Sequence, residues 1–224
     1  MTNGINSALP HSAYHEPLTP EQAAMLLIDH QTGLMLGCQT LDMQTLRNNV
    51  VGLAKVAKLF KIPTLLTFGG ANRPGKGVNG PLMPELPSVL PDAQSIDRVT
   101  INAWNDSNVV EWVKQTGRKK LIMAGISTDV CLAYPAIAAV ADGYDVYAVI
   151  DASGTWDKTV EMCAMLRMQQ AGVIISNWVS IAAELQKDWT APSAKDYADI
   201  FGQHLAFFNF LVDNLEANGV KVGM

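Results

Sequence analysis

The chain has 224 residues, 49% of them hydrophobic, and a formal net charge of −5 at pH 7. This length and apolar content are sufficient for one large α/β domain with its own core. The acidic balance and the absence of a dense Lys/Arg run argue against nucleic acid or an anionic membrane as partner. The expected partners are therefore a small-molecule substrate and further copies of the chain.

From residue 23 onward, short runs of branched apolar residues alternate with longer segments of helical period, which is typical of βα units in a parallel sheet. Strands are predicted at 23–28, 62–68, 95–98, 120–126, 144–150 and 173–176. Helices are predicted at 41–60, 106–116, 130–142, 157–171 and 194–215. The Gly-rich and Pro-rich loop at 69–91 is long enough to be functional.

This pattern predicts an N-terminal arm at 1–19, one α/β domain at 20–190 and a C-terminal helical extension at 191–224. The extension carries an apolar helix face that must pack on the domain or on a neighbouring subunit. The start of the chain lacks the regions of a signal peptide, and no apolar run is long enough to span a bilayer. We therefore expect a cytoplasmic protein. The three cysteines are odd in number, far apart and without metal-type spacing, so we expect no disulfide framework and reduced thiols.

The candidate chemistry lies at the ends of the first and fourth predicted strands. Ligands of an open parallel sheet bind beyond the carboxyl ends of the strands, where the strand order reverses. Asp29 ends the first strand and Cys131 follows the fourth. Alone, the aspartate could cap a turn and the cysteine could be a small buried hydrophobe. Together they can act as base and nucleophile.

Cys131 also opens a predicted helix. The partial positive charge at a helix N-terminus favours a thiolate, so we expect a lowered pKa at Cys131. On this hypothesis, iodoacetamide labels Cys131 much faster than Cys38 and Cys163 near neutral pH, whereas an inert structural cysteine is not labelled faster.

Three sequence segments resemble a known family. They are Leu-Ile-Asp-His-Gln at 27–31, Gly-Ile-Ser-Thr-Asp-Val-Cys at 125–131 and Asp-Ala-Ser-Gly-Thr at 151–155. With them, the chain resembles the isochorismatase-like cysteine hydrolases. Two further segments, Asn-Gly-Pro-Leu-Met-Pro-Glu-Leu at 79–86 and Ile-Asn-Ala-Trp at 101–104, are similar to the YcaC-like branch of that family. The resemblance implies a three-layer α/β/α fold with a six-stranded parallel sheet in the order 3-2-1-4-5-6.

The resemblance also implies a catalytic triad of Cys131, Asp29 and Arg98, the last standing where most members have lysine. A guanidinium stays protonated at any working pH, so Arg98 would act as a fixed charge and not as a proton shuttle. The family further implies a cis peptide bond between Ile126 and Ser127. The backbone N–H groups of Ser127 and Cys131 would then form an oxyanion hole.

No metal or cofactor is expected. The stretch at 68–73 lacks the histidine with which nicotinamidase-like members bind a metal, and no Gly-x-Gly-x-x-Gly motif follows the first strand. His30 is interpreted as a packed or hydrogen-bonding neighbour of Asp29. Phe68, Trp104 and Trp156 are weak candidates for pocket walls, since aromatic residues at such places are more commonly core.

The sequence thus predicts hydrolysis of a small amide or related C–N bond through a thioester on Cys131. Two alternatives remain. One is cleavage of a vinyl ether as by isochorismatase, a branch that lacks the cysteine. The other is a binding or scaffold protein that has the fold without turnover.

Overall fold

A computed structural model of the protein describes residues 16–70 and 77–220. Its six strands form one parallel sheet, and the described helices cover both faces. The strands are β1 (Ala23–Ile28), β2 (Thr64–Gly69), β3 (Gln94–Arg98), β4 (Lys120–Gly125), β5 (Asp145–Val149) and β6 (Ile174–Ser176). Their order across the sheet is β3-β2-β1-β4-β5-β6, which confirms the predicted fold class and strand order.

Nine α-helices are described. They are α1 (Thr32–Met35), α2 (Met43–Leu59), α3 (Glu85–Val89), α4 (Ser107–Thr116), α5 (Ala133–Ala141), α6 (Lys158–Gln170), α7 (Trp178–Gln186), α8 (Ala194–His204) and α9 (Ala206–Ala217). Short 3₁₀ turns occupy Ala103–Asn105 and Ile150–Ala152, and a π-helical turn occupies Thr128–Leu132. Within the described ranges, none of these helices is both long and apolar enough to cross a bilayer.

The central strands have helices on both faces, which is why they are continuously apolar and not alternating. Along β1, Met25 and Leu27 face a core that includes residues of α2, α7 and α8. Leu26 and Ile28 face the opposite core, which includes residues of α4 and α5. Successive side chains of a strand point to opposite faces, so one six-residue strand contributes to both cores. The buried sheet is therefore a rigid base for its carboxyl edge.

Helix boundaries follow local capping chemistry. The carboxylate of Asp42 accepts a hydrogen bond from the backbone N–H of Thr45 and begins α2. Asp106 and Asp157 cap α4 and α6 in the same way. Gly117 ends α4 in the left-handed region, at φ 66°, which glycine adopts at little cost. These helix ends can therefore be predicted from the sequence.

Several helical features differ from the sequence prediction. Helix α3 interrupts the predicted loop at 69–91, and α7 follows β6 where no helix was predicted. The predicted helix at 194–215 is two helices, because Leu205 adopts an extended conformation. This turn folds Phe208 back onto Phe201, with ring centroids 5.9 Å apart. A continuous helix would carry Phe208 away from that contact.

Helix α8 packs on α2, whereas α9 has no buried residue. Most of the predicted arm at 1–19 lies outside the described residues. The domain boundaries themselves stay a prediction.

Candidate active site

The sheet brings the predicted site residues to one edge. Strands β1 and β4 are direct neighbours, with Ile28 in register with Gly125. Asp29 follows β1, and the segment that carries Cys131 follows β4. Arg98 ends β3 and is in register with Gly69 at the end of β2. All three side chains thus begin at the carboxyl ends of parallel strands.

Asp29 and Arg98 form a buried, two-pronged ion pair. The guanidinium donates from Nη1 to one carboxylate oxygen at 2.9 Å and from Nη2 to the other. Asp29 is 4% exposed and Arg98 is 2% exposed. Removing water from two charges is costly, and two parallel hydrogen bonds offset part of that cost. The pair holds the carboxylate ionised and in a fixed orientation.

The backbone of Asp29 turns away from the strand. Its φ is 57°, in the left-handed region, where aspartate is one of the better tolerated residues. Its N–H still donates to Thr67 of β2 at 2.8 Å, and its carbonyl accepts from the N–H of Gln31 at 2.6 Å. The residue therefore leaves the sheet with its backbone groups paired, and its carboxylate lies between Arg98 and the thiol of Cys131 on the β4 side.

The Asp29 carboxylate and the backbone N–H of Ser127 both act on the Cys131 thiol, the first raising and the second lowering its pKa. Burial, followed by the negative charge of Asp29, raises the pKa of Cys131 above its ordinary value, with Arg98 opposing in part. The predicted lowering of this pKa is therefore wrong. The reason is that the sulfur is half-buried next to a carboxylate, and these effects exceed the favourable field of a helix terminus.

The backbone between β4 and Cys131 has an unusual path. The peptide bond between Ile126 and Ser127 is cis, as the family resemblance implies. A π-helical turn then precedes α5, where a regular helix from residue 130 was predicted, and Leu132 donates to the carbonyl of Ser127 at 3.1 Å. A Cβ added at Gly125 would lie 3.2 Å from the Leu132 nitrogen, so glycine lets the turn approach the strand end.

The isochorismatase domain matches residues 23–180. The chain belongs to the isochorismatase family. It is 39% identical over 200 residues to the probable hydrolase YcaC of Escherichia coli, a match that covers 89% of this chain and 94% of that protein.

Two solved structures place the chain in the YcaC-like branch. YcaC from Pseudomonas aeruginosa, with hexane-2,5-diol and covalent acrylamide, has a TM-score of 0.86 and 39% identity, covering 90% of this chain and 98% of that one. The crystal structure of Escherichia coli YcaC, described as an octameric hydrolase of unknown specificity, has a TM-score of 0.84 and 39% identity, covering 90% and 97%.

In this isochorismatase-family protein, the three candidate pocket aromatics differ in their surroundings. Trp104 is 7% exposed, packs edge-on against Tyr144 and donates from Nε1 to Asp142 at 2.8 Å. These contacts favour the core interpretation for Trp104. Phe68 is half-buried and Trp156 is 48% exposed, and neither belongs to the two cores. Their roles as pocket walls stay predictions.

His30 is fully buried and donates from Nε2 to the carbonyl of Ala152 at 2.9 Å. Burial lowers the pKa of His30 to about 4, so the ring is neutral at physiological pH. Its contacts fit a structural neighbour of Asp29 that ties the end of β1 to the turn after β5. Across residues 16–70 and 77–220, no three His, Cys, Asp or Glu side chains cluster as metal ligands would.

Two amide side chains near the site received no role from the sequence. Gln31 accepts from the N–H of Gly69 at 3.3 Å and donates to the carbonyl of Gly80 at 2.7 Å. Asn79 donates to the carbonyl of Gly69 at 2.9 Å. The end of β2 is thus held through both of its backbone polar groups. Both amides lie in sequence segments that resemble the family, and this resemblance is the signal that could have identified them.

Proposed function

We propose that this protein is a hydrolase that cleaves a small amide or related C–N bond through a thioester on Cys131. The contact between the Cys131 thiol and the Asp29 carboxylate is the observation that carries the proposal. A carboxylate next to a thiol is placed to take its proton as the sulfur attacks.

The raised pKa of Cys131 fits a concerted start of the reaction. The resting sulfur is a neutral thiol, so no free thiolate has to be stabilised in a half-buried site. As sulfur bonds to the acyl carbon, its proton passes to Asp29 and the carbonyl oxygen gains negative charge. The backbone N–H groups of Ser127 and Cys131 bind that oxygen, and one such donor typically contributes about 3 kcal/mol to the transition state.

In the remaining steps, Asp29 donates a proton when the amine leaves and again when the acid leaves. The C–N bond breaks as Asp29 passes its proton to the departing nitrogen, leaving a thioester on Cys131. Water then attacks the acyl carbon and gives a proton to Asp29. The C–S bond breaks, the acid leaves, and the sulfur regains its proton from Asp29. Arg98 keeps its proton throughout and holds Asp29 in place.

The relatives support this chemistry. Escherichia coli YcaC is named a probable hydrolase, and the Pseudomonas aeruginosa YcaC structure contains covalent acrylamide. Acrylamide is an electrophile with a primary amide, and adds readily to sulfur nucleophiles. A corresponding adduct in this protein is expected on Cys131.

The test is a panel of small primary and N-substituted amides, assayed for release of ammonia or amine, with mass spectrometry of the acid-quenched protein. We expect turnover of at least one amide and an acyl mass on the peptide that contains Cys131. The matched controls are Cys131→Ala, which has no nucleophile, and Cys163→Ala, which keeps it and changes only an exposed cysteine. Turnover that survives in Cys131→Ala would reject the thioester route.

The rival functions are outcomes of the same experiment. A vinyl ether that is cleaved without any adduct would favour chemistry like that of isochorismatase. Tight binding of an amide without turnover in the wild type would favour a binding protein. The thiol-carboxylate contact supports the amide hydrolase over both, because neither rival needs a base on sulfur.

A homo-oligomer is part of the same proposal. The outer face of α9 carries Phe207, Phe210 and Leu211, which are 67%, 73% and 51% exposed in the single chain. Such a patch on a soluble protein commonly marks a protein contact. The Escherichia coli relative is an octamer. A second copy of this chain is the proposed cover.

Replacement Phe210→Glu tests this assembly. A buried carboxylate would oppose association, so we expect a smaller particle by analytical ultracentrifugation with unchanged secondary structure. Asn108→Glu, on the exposed side of α4, is the charge-matched control and should keep the wild-type mass. An unchanged mass for Phe210→Glu would remove α9 from the interface.

A further inference from the structure

The segment at 153–155 is wrapped against the backbone that carries Cys131. The regular pairing of β4 with β5 ends at Met123 and Ala148, and the chain then curls into the 3₁₀ turn at Ile150–Ala152. Ser153, which is fully buried, spans the resulting gap. Its hydroxyl accepts from the N–H of Gly125 at 3.0 Å and donates to the carbonyl of Val149 at 2.7 Å. The Ser153 side chain thus takes the place of a backbone hydrogen bond between the ends of β4 and β5.

Gly154 then holds both neighbours of Ser127. Ile126 and Gly154 form an isolated parallel bridge, and the carbonyl of Gly154 accepts from the N–H of Thr128 at 3.1 Å. Ser127 lies between these two attachments, directly before the π-helical turn that carries Cys131, and its backbone N–H lowers the pKa of that thiol. The direction of that N–H is therefore fixed from both sides by one residue of a different strand end.

Thr155 completes the attachment. Its hydroxyl donates to the Asp129 carboxylate at 2.8 Å, within the π-helical turn that leads to Cys131. Its carbonyl accepts from the N–H groups of Gln39 and Thr40, which lie in the loop after α1. Behind Gly154, an added Cβ would lie 3.1 Å from the Cys38 sulfur. A packed loop thus lies behind the segment and limits its movement away from the turn that carries Cys131.

We infer that Ser153 and Thr155 are positioning residues, which set the direction of the Ser127 N–H for binding of the oxyanion. We call the segment at 153–155 the strap. The inference rests on the proposed acyl-transfer function and assigns a role to a sequence segment that had none. The strap acts through the backbone of Ser127 and Thr128 and does not touch the reacting atoms.

An oxyanion forms only when sulfur attacks a carbonyl carbon. Alkylation by iodoacetamide displaces iodide at a saturated carbon and forms no oxyanion. The Ser127 N–H also lowers the pKa of Cys131, but as the last of its causes. A loss of strap contacts should therefore slow acylation much more than it slows alkylation of Cys131. A purely structural role would slow both reactions together or neither.

The acylation probe is p-nitrophenyl acetate. The Cys131 sulfur bonds to the acetyl carbon, the ester C–O bond breaks, p-nitrophenolate leaves and is measured by absorbance, and water later hydrolyses the thioester. Removal of an oxyanion donor costs about a hundredfold or more, so Ser153→Ala, which only loosens one, is expected to slow the burst about tenfold or more. Its iodoacetamide rate should stay within about threefold of wild type.

Thr155 supplies a matched pair of variants. Thr155→Val keeps the shape and loses the hydroxyl, whereas Thr155→Ser keeps the hydroxyl. We expect Thr155→Val to slow acylation about fivefold, and Thr155→Ser to restore it to within about twofold of wild type. Equal losses in acylation and alkylation, or no loss in acylation by either Ser153→Ala or Thr155→Val, would overturn the inference.

Hydrogen exchange keeps the inference testable if the wild type is not acylated by this ester, a result that would count against the proposed function alone. The strap predicts faster exchange of the Gly125 and Thr128 amides in Ser153→Ala and in Thr155→Val, with wild-type exchange in α2. Unchanged exchange at these two amides would overturn the strap, whatever the protein hydrolyses.

Discussion

The regions around Cys131 and Cys38 contain the same functional group in different settings. Burial raises the pKa of both thiols, that of Cys38 to about 11. The Cys38 sulfur contacts the carbonyl of Leu34 at 3.9 Å, a group that cannot accept and later return a proton as an acid. The Cys131 sulfur contacts a carboxylate that is fixed by Arg98. A neighbouring base, and not a low thiol pKa, is what distinguishes the candidate nucleophile.

The largest test of this difference is removal of one sulfur at a time. Cys131→Ala should lower turnover of any substrate by at least about a thousandfold, because no other nucleophile is placed to form the acyl intermediate. Cys163→Ala, at an exposed position on α6, should stay within about twofold in the same assay. Comparable losses in the two variants would mean that the contact with Asp29 has no catalytic meaning.

Asp29→Asn should separate thiol acidity from catalysis. Turnover is expected to fall by about a hundredfold or more, because the amide cannot carry the proton. The charge of Asp29 raises the pKa of Cys131, so its removal should lower that pKa and leave Arg98 to favour the thiolate. The pH midpoint of iodoacetamide alkylation at Cys131, measured by peptide mass spectrometry, should therefore move down.

Cys38 is the internal reference for that profile, and its midpoint should not move in Asp29→Asn. An unchanged or higher midpoint at Cys131 would contradict the contact between the two side chains.

Arg98→Lys should have a smaller effect on activity. Lysine keeps the positive charge but cannot reproduce the two parallel hydrogen bonds to Asp29, so we expect a loss of about tenfold in kcat. Arg98→Met leaves Asp29 buried without its cation, which typically costs about 3 kcal/mol of unfolding free energy. Urea denaturation separates the two variants. Wild-type activity in Arg98→Lys would show that charge alone suffices.

His30 provides the smallest effect, on stability and not on chemistry. Its pKa in the fold is about 4, below the ordinary value of 6.5, so its contribution is present above pH 6.5 and is lost as the pH falls towards 4. Relative to His30→Gln, the wild type should lose about 2 kcal/mol of unfolding free energy between about pH 7.5 and about pH 4.5.

The glutamine can still donate to Ala152, and all other titrating groups are common to both proteins and cancel. Parallel pH profiles for the two proteins would mean that His30 is not buried as described.

Some of the site was predictable because short-range rules act there. The apolar run at 23–28, the strand at 120–125 and the polar residues that follow them place Asp29 and Cys131 at one edge. The pKa of Cys131 was not predictable, since it depends on how far the sulfur is buried and on a carboxylate about a hundred residues away. The strap was missed for the same reason, because its hydroxyls bond to Gly125 and Asp129, which lie at and after another strand end.

Helical segments show the same division. Asp42, Asp106 and Gly117 mark helix ends through contacts within a few residues, and the predicted helices next to them are correct in type. Helix α7 has a cap of the same kind, since Asn177 accepts from the N–H of Ser180, yet no helix was predicted there. The break at Leu205 is stabilised by Phe208 returning to Phe201. That contact depends on a turn of the chain and on no local preference.

The amino-acid sequence by itself determined the parallel sheet, the family and the identity of the acid, thiol and cation at the strand ends, since periodicity and motifs are local properties. Only the tertiary structure decided the protonation state of the thiol, the orientation of the Ser127 N–H and the exposure of α9. Those properties arise from burial and from pairings between distant segments, which exist only once the chain is folded.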